Sequence, residues 1–191
     1  MASDAVQFQV QLVLRLTLGL VFLVSALTKL RDPSAFVRGV LDYQVLPRPL
    51  ARVYGWLLPL IELSTALLLL SGFFLAVGAG LTVLMVVSFT VAIVINAARG
   101  RAPACHCFGE SQVSRVGWHT LVRDLLLLAP AIWLWRAGDV AGLGEALDWV
   151  RLLPAIGIAV VVALSYALVV ESLELFIRVH RETDRHELSD A

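Results

Sequence analysis

Five long apolar segments restrict the fold of this chain more than any other feature. Each approaches the roughly 20 residues that an α-helix needs to span the hydrocarbon core of a bilayer. They are Val10–Leu30, Gly55–Phe74, Leu75–Ala98, Trp118–Trp135 and Leu152–Ile177. Helices are expected because an open sheet in lipid would leave backbone polar groups unpaired. We therefore predict an all-α integral membrane protein, a four-helix transmembrane bundle plus a fifth, C-terminal transmembrane helix.

Composition and charge narrow the class further. The chain is 59% hydrophobic and only 16% charged, and its mean hydropathy is +0.85, which excludes an ordinary soluble domain. Its formal net charge is zero, which argues against a nucleic-acid partner. We expect a multi-pass membrane protein, whose partner is the lipid bilayer itself.

The segments also predict how the chain is organised. We divide it into a four-helix transmembrane domain (1–136), a loop with the extra transmembrane helix (137–177) and a charged tail (178–191). The second and third segments adjoin, which predicts a tight antiparallel hairpin. Between the first and second segments, Asp32-Pro33 is typical of a helix start, and Leu46-Pro47-Arg48-Pro49 predicts its end. We expect this short helix to lie at the membrane interface.

Both cysteines of the chain lie in one tripeptide, Cys105-His106-Cys107, between the third and fourth segments. Such a pair suits dithiol–disulfide exchange or binding of a soft metal ion. A disulfide across so few residues closes a small, strained ring that is easily reduced. His106, together with Arg99 and Arg101 just upstream, would favour a thiolate. The alternative is that both cysteines are unpaired small hydrophobes without a chemical role.

Polar residues converge on the membrane face that carries this tripeptide. If every segment crosses, the first and third loops share one face, and Glu62 lies only about 10–12 Å below it. The residues gathered there, besides the cysteines and His106, are Lys29, Glu62, Asn96, Arg99, Arg101, Arg123 and Asp124. This convergence predicts an active site at one end of the bundle.

The buried charges of this face have more than one possible role. An unpaired, ionised Glu62 would cost several kcal/mol, so we expect a proton carrier, a ligand anchor or an ion pair with Lys29 or Arg123. Arg123 and Asp124 diverge by about 100° on a helix, which predicts different partners for the two. Arg123 would hold Glu62 or stabilise the reduced cysteines. Lys29 is expected chiefly as an interface anchor, with ligand binding as a second role.

The arrangement of these residues resembles the MauE family, within the wider DoxX-like group of membrane proteins. The match rests on Lys29, on Pro59 with Glu62, on Arg99-Gly100 ahead of Cys105-x-Cys107-Phe108-Gly109, and on Arg123-Asp124. The resemblance implies a four-helix bundle that serves thiol–disulfide chemistry outside the cytoplasm. It also implies a thioredoxin-like partner in the maturation of methylamine dehydrogenase. More broadly, the arrangement is similar to membrane oxidoreductases that couple a cysteine pair to a quinone.

Our leading hypothesis is a thiol–disulfide oxidoreductase. Cys105 and Cys107 would pass electrons from a thioredoxin-fold protein or a dithiol substrate to a quinone bound near Lys29, Glu62 and Arg123. His106 would tune the thiolate, and Glu62 or Asp124 would move protons. The rivals are a transporter or chaperone for a soft metal such as copper or mercury, and a non-catalytic scaffold subunit.

Two features depart from the family pattern, and a third departs from the quinone-coupled oxidoreductases. The chain has a fifth apolar segment, unlike the family, and only one cysteine pair where those oxidoreductases use two. Its Lys and Arg bias also directs the tripeptide towards the cytoplasm by the positive-inside rule, whereas the family resemblance directs it outward.

Overall fold

A computed structural model describes residues 2–101, 104–105, 114–115, 118–138, 153 and 155–162. Five helices and a short ribbon follow one another along these residues. The helices are α1 (Ala2–Arg31), α2 (Pro33–Asp42), α3 (Arg48–Ser71), α4 (Leu75–Ala98) and α5 (Trp118–Ala137). The ribbon consists of β1 (Ala104–Cys105) and β2 (Ser114–Arg115), which pair antiparallel between α4 and α5. Residues 155–162 are also helical.

Three of the described helices are long and apolar enough to cross a membrane: Val6–Arg31, Arg48–Ser71 and Leu75–Ala98. The prediction of a helical membrane protein is therefore confirmed. Helix α5 has 20 residues but is not among the three, and it carries Arg123 and Asp124. Crossings by the fourth and fifth predicted segments remain predictions, and most of Leu152–Ile177, like the tail from 178, lies outside the described residues.

The helices pack in pairs. Helix α1 lies along α3 and α4 lies along α5, while α3 also contacts both α2 and α4. One apolar cluster (Leu18, Leu69, Leu75, Ala79, Ala131 and Leu134) joins α1, α3, α4 and α5. A second apolar cluster joins α1, α2, α3 and α4, and it consists of Phe22, Phe36, Leu58, Ala66, Met85 and Val86. Outside these clusters the helices expose large apolar side chains such as Val24, Leu60, Leu84 and Leu125, as lipid contact requires.

The predicted hairpin between the second and third segments is confirmed. Helix α3 ends at Gly72, whose φ of 73° is the left-handed conformation that favours glycine at a helix end. Helix α4 begins three residues later, after Phe74, which is also left-handed with φ of 49°. The turn therefore reverses the chain within a few residues.

Helix α2 begins as predicted but ends earlier. The Asp32 carboxylate accepts a hydrogen bond from the Ala35 amide at 2.9 Å, and Pro33 occupies the first turn. The helix ends at Asp42, and Pro47 instead caps the start of α3. The prediction that the proline-rich stretch ends α2 was wrong, because proline at an N-terminus costs no helical hydrogen bond and the two prolines there begin the next helix.

A glycine seats α2 against α3. A Cβ on Gly55 would lie 3.2 Å from the Val37 Cα, closer than nearly all real contacts. Phe36 and Val37 are buried in the same contact region. The glycine therefore lets the backbones of the two helices approach directly, so that α2 forms a wall of the bundle.

Candidate active site

The centre of the site is a buried ion pair between α1 and α3. The Lys29 Nζ lies 2.6 and 2.7 Å from the two carboxylate oxygens of Glu62, and it donates to the Ser25 Oγ at 2.6 Å. Lys29 and Glu62 are 3% and 1% exposed. The ammonium also lies 5.2 Å from the centroid of the Phe36 ring. Ser25 precedes Lys29 by one helical turn, which places both side chains on the surface of α1 that faces α3.

These distances decide between two sequence predictions. The ion pair of Glu62 with Lys29 is confirmed. The prediction that Lys29 is chiefly an interface anchor was wrong, because its ammonium lies inside the bundle and contacts a carboxylate. Removing either side chain would leave the other charge buried in an apolar interior, so each residue is needed to stabilise the other in its charged form.

The second pair of charges lies on α5. The Arg123 guanidinium donates to the Asp124 Oδ1 at 3.0 and 3.2 Å, so these neighbours contact each other. The sequence predicts different partners for the two; in the structure they also contact each other, because an arginine side chain is long enough to fold back onto the adjacent carboxylate. The Thr90 hydroxyl on α4 lies 3.3 Å from the Asp124 Oδ2 and shares its one O–H with the Val86 carbonyl at 2.9 Å. Asp124 is buried and is thereby tied to α4 as well.

A small cavity joins the two pairs. It measures about 40 Å³ and is lined by Ser25, Lys29, Glu62, Arg123 and Asp124, together with apolar residues of α1, α4 and α5. The predicted convergence of these four charged residues is therefore observed in the folded chain. The space is close to the share of one water molecule and is too small for a ring.

A much larger cavity lies on the other side of Lys29. It measures about 510 Å³, within the roughly 300–1,000 Å³ typical of small-molecule sites. Lys29 and Phe89 line both cavities. The other walls are mostly apolar and come from α2, α3, α4 and the α2–α3 linker; they include Phe36, Val40, Leu46, Leu58, Ala92 and Ile93.

Two hydroxyl groups face each other in the wall of this larger cavity. The Tyr54 hydroxyl lies 3.0 Å from the Ser88 Oγ, and Ser88 itself donates to the Met85 carbonyl at 2.8 Å. Sequence reasoning missed both residues. The only available signal was that each is a polar residue in an otherwise apolar span, and this does not reveal that the two meet across α3 and α4.

Two arginines tie the α2–α3 linker to the end of α4. Arg99 donates to the Gln44 carbonyl at 3.0 Å, and Arg101 donates to the Gln44 side-chain oxygen at 2.6 Å. Gln44 has φ of 50°, and its neighbours Tyr43 and Val45 line the larger cavity. These arginines, expected to favour a thiolate, thus hold the linker beside the cavity.

The cysteine tripeptide is described only at its first residue. In the ribbon, Cys105 pairs with Ser114 and Ala104 pairs with Arg115. Strand β1 contacts α2, whose Phe36, Gly39 and Val40 line the larger cavity. The side chain of Cys105, as well as His106 and Cys107, lies outside the described residues. The backbone of Cys105 is thus next to the helix that walls the cavity.

Asn96, predicted to join this end, is fully buried on α4. Its amide nitrogen donates to the Ala92 carbonyl at 2.9 Å, while its side-chain oxygen has no hydrogen-bond partner. Its backbone carbonyl accepts from Arg99 and Arg101 amides, which ends α4. Within the described part of the chain, no three His, Cys, Asp or Glu residues are grouped closely enough to hold a metal ion.

Comparison with known proteins gives one consistent result. Residues 8–137 match the sequence profile of the family described as methylamine utilisation protein MauE. The chain is 33% identical to the methylamine utilization protein MauE of Paracoccus denitrificans over 69% of its own length and 72% of that protein. It is 31% identical to the protein of the same name from Methylophilus methylotrophus, over 62% of this chain and 64% of that one. No solved structure matches.

Proposed function

The chain belongs to the MauE family, and on that premise we propose that it is a membrane protein of methylamine utilisation that exchanges disulfides through Cys105 and Cys107. We place it in the bacterial inner membrane, with a thioredoxin-fold protein or a dithiol substrate as its partner. The observation that carries the proposal is the position of Cys105. Its strand contacts α2, which borders both the buried Lys29–Glu62 pair and a cavity large enough for a small molecule.

The proposed exchange balances in bonds and electrons. A thiolate of the partner attacks one sulfur of the Cys105–Cys107 disulfide, which breaks that S–S bond and forms a mixed disulfide. The second thiolate of the partner then breaks the mixed disulfide. The partner leaves oxidised, and the two cysteines of the chain are left as thiols that hold two electrons. A bound quinone would supply the acceptor for these two electrons and for the two protons that the thiols release.

Residues of the chain have separate roles in this proposal. His106 lies between the two thiols and favours the thiolate form. The Lys29 ammonium donates to the Glu62 carboxylate at 2.6 Å, and both side chains are buried inside the bundle. Arg123 and Asp124 complete the polar lining of the small cavity, which is of a size to hold about one water next to Glu62. In this proposal Glu62 or Asp124 passes on the protons that the thiols release.

The first test is the resting state of the two cysteines. Sealed membranes containing the protein are treated with membrane-permeant or impermeant maleimide, with and without prior reduction. We expect labelling only after reduction, and the impermeant reagent then reports which side the tripeptide faces. Free labelling without reductant would contradict the proposal and favour the soft-metal alternative.

The second test traps the partner. Cys105→Ser and Cys107→Ser are expressed beside Ala104→Ser, a control in the same strand. A partner whose second thiol is replaced by serine should accumulate a mixed disulfide with the unmodified chain on non-reducing gels, since the thiol that breaks this bond is then absent. Both cysteine variants should lose partner oxidation, while the control keeps it. If all three behave as the unmodified chain, the protein is a scaffold and not an oxidoreductase.

A further inference from the structure

The three N–H donors of Lys29 are already used inside the protein, so a ligand in the larger cavity must form its hydrogen bond with another residue. An ammonium has three N–H donors. Its contacts at 2.6–2.7 Å with the two Glu62 oxygens and with Ser25 account for three. All three lie on the side of the smaller cavity. Lys29 therefore lines the larger cavity without a donor for a ligand oxygen, which other residues must bind.

The Tyr54 hydroxyl, which lines the larger cavity, can form a hydrogen bond with a ligand oxygen. Ser88 has a single O–H, which it donates to the Met85 carbonyl at 2.8 Å. In the hydrogen bond between the two hydroxyls, Tyr54 is therefore the donor. Its oxygen keeps lone pairs that accept from a ligand hydroxyl. If its O–H turns away from Ser88, it donates to a ligand carbonyl instead. One side chain can thus serve a ring oxygen in either redox form.

We propose that the larger cavity binds the ring of a quinone-type molecule and that Tyr54 contacts the ring oxygen. The choice of a quinone rests on the proposed function, while the position of the ring and its contact with Tyr54 are inferred from the cavity. The volume of about 510 Å³ suits a substituted ring, and Phe36 and Phe89 supply aromatic walls. The strand of Cys105 lies against α2 of the same cavity. A lipid acyl chain would fill the apolar space but has no oxygen at this depth to use Tyr54.

The test measures binding directly, without thiol chemistry. The Cys105→Ser/Cys107→Ser protein is placed in nanodiscs and titrated with decylubiquinone, a short-chain quinone, and separately with its quinol. Ala92→Phe fills the cavity from α4 and is expected to weaken binding of both forms at least 10-fold. Val94→Phe, on the exposed side of the same helix, is the matched control and should bind as the parent does. Thermal unfolding of each variant tests whether it remains folded. Ala92→Leu, which fills the cavity with a smaller side chain, is included in case Ala92→Phe unfolds.

Two hydroxyl variants make the test specific. Tyr54→Phe should weaken both forms about 5- to 10-fold, the size of one hydrogen bond. Ser88→Ala removes the acceptor that Tyr54 uses when it receives a hydrogen bond from the quinol. It should therefore weaken the quinol several-fold and leave the quinone within twofold. Such a split between redox forms is not expected from a general loss of packing.

The outcomes separate the two proposals. Equal binding by the Ala92→Phe and Val94→Phe variants, or unchanged binding by Tyr54→Phe, would overturn the assignment of the cavity. Displacement by a fatty acid without any response to Tyr54→Phe would identify an acyl-chain site. If decylubiquinone binds as expected while the cysteines label freely without reductant, the binding site stands and the exchange function fails. If exchange proceeds while decylubiquinone does not bind, the reverse holds.

Discussion

The bundle buries polar groups at both of its ends, and the two ends are built differently. One end holds Lys29 and Glu62, a cation and an anion in direct contact. The other, roughly four helical turns along α1, holds Gln11 and Arg15, which are 1% and 3% exposed. The Gln11 amide donates to the Gly138 carbonyl at 2.9 Å, and the Arg15 guanidinium lies against Gly72. This second cation therefore lies at the carboxyl end of α3, where the helix dipole favours positive charge, while Gln11 binds the carboxyl end of α5.

The difference separates a site from a structural cap. At the Lys29 end, the paired charges line the smaller cavity, Lys29 also lines the larger one, and the strand of Cys105 contacts the α2 wall of the larger cavity. At the Arg15 end, the Arg15 Nε and the Gln11 side-chain oxygen have no hydrogen-bond partner, and neither residue lines either of these cavities. Buried charge by itself thus does not distinguish the candidate site, whereas paired charge beside a cavity does.

The largest expected effect comes from breaking the pair at the Lys29 end. Glu62→Gln leaves the ammonium buried without its carboxylate and should cost about 3–5 kcal/mol in the free energy of unfolding. Thermal or denaturant unfolding in detergent measures it, with Ser64→Ala on the exposed side of α3 as the control.

The double variant Lys29→Met/Glu62→Met sharpens this prediction. Replacing both charges by apolar side chains removes the lone charge, so stability should return to within about 1–2 kcal/mol of the parent. Partner oxidation should stay lost if the pair serves chemistry. A double variant with full activity would show that the pair is only structural and that the two ends differ less than we infer.

The second effect tests the cap at the other end. Gly72→Ala combines a left-handed backbone, worth about 1–2 kcal/mol, with a Cβ that collides with the Arg15 guanidinium. We expect a total loss of about 2–4 kcal/mol in unfolding free energy. Gly100→Ala is the matched control, because Gly100 has a similar φ of 66° but open space around it. Equal losses for the two variants would show that Arg15 adds nothing to the cost.

The smallest effect compares two buried or half-buried threonines of α4. The Thr90 Oγ1 lies 2.9 Å from the Val86 carbonyl and 3.3 Å from the Asp124 Oδ2, so its one O–H is shared between them. Thr90→Val therefore removes a shared hydrogen bond from a buried carboxylate and should cost about 0.5–1 kcal/mol. The Thr82 hydroxyl donates only to the Gly78 carbonyl of its own helix, so Thr82→Val should be nearly neutral. Unfolding midpoints of both variants provide the measurement. A larger loss for Thr82→Val would contradict the view that polar contacts matter most at the Lys29 end.

Local features of this fold were accessible from the sequence. The long apolar runs predicted α1, α3 and α4, and the third segment has the bounds of α4 as observed. Asp32 and Pro33 predicted the start of α2 because capping depends on adjacent residues. The hairpin between α3 and α4 followed from the lack of any linker between two runs. The start of α3 was placed too late, at Gly55, because polar Arg48 and Arg52 precede the apolar run although they are already helical.

The candidate site was accessible only in outline. Depth along each helix predicted that Glu62, Lys29, Arg123 and Asp124 would share one end, and they line one small cavity. Depth does not give rotation about the helix axis, so Lys29 was expected at the interface. The pairs of α1 residues spaced by four, Gln11 with Arg15 and Ser25 with Lys29, were the available signal that this face of α1 is buried.

The sequence by itself determined the membrane helices, the hairpin, the short capped helix and the single cysteine pair, because these depend on composition and on neighbours along the chain. Only the tertiary structure decided that Lys29 binds Glu62, that Tyr54 meets Ser88, and that about 510 Å³ of space remains beside them. Those outcomes depend on how helices rotate and approach one another, which is set by packing at contacts such as Gly55 against Val37.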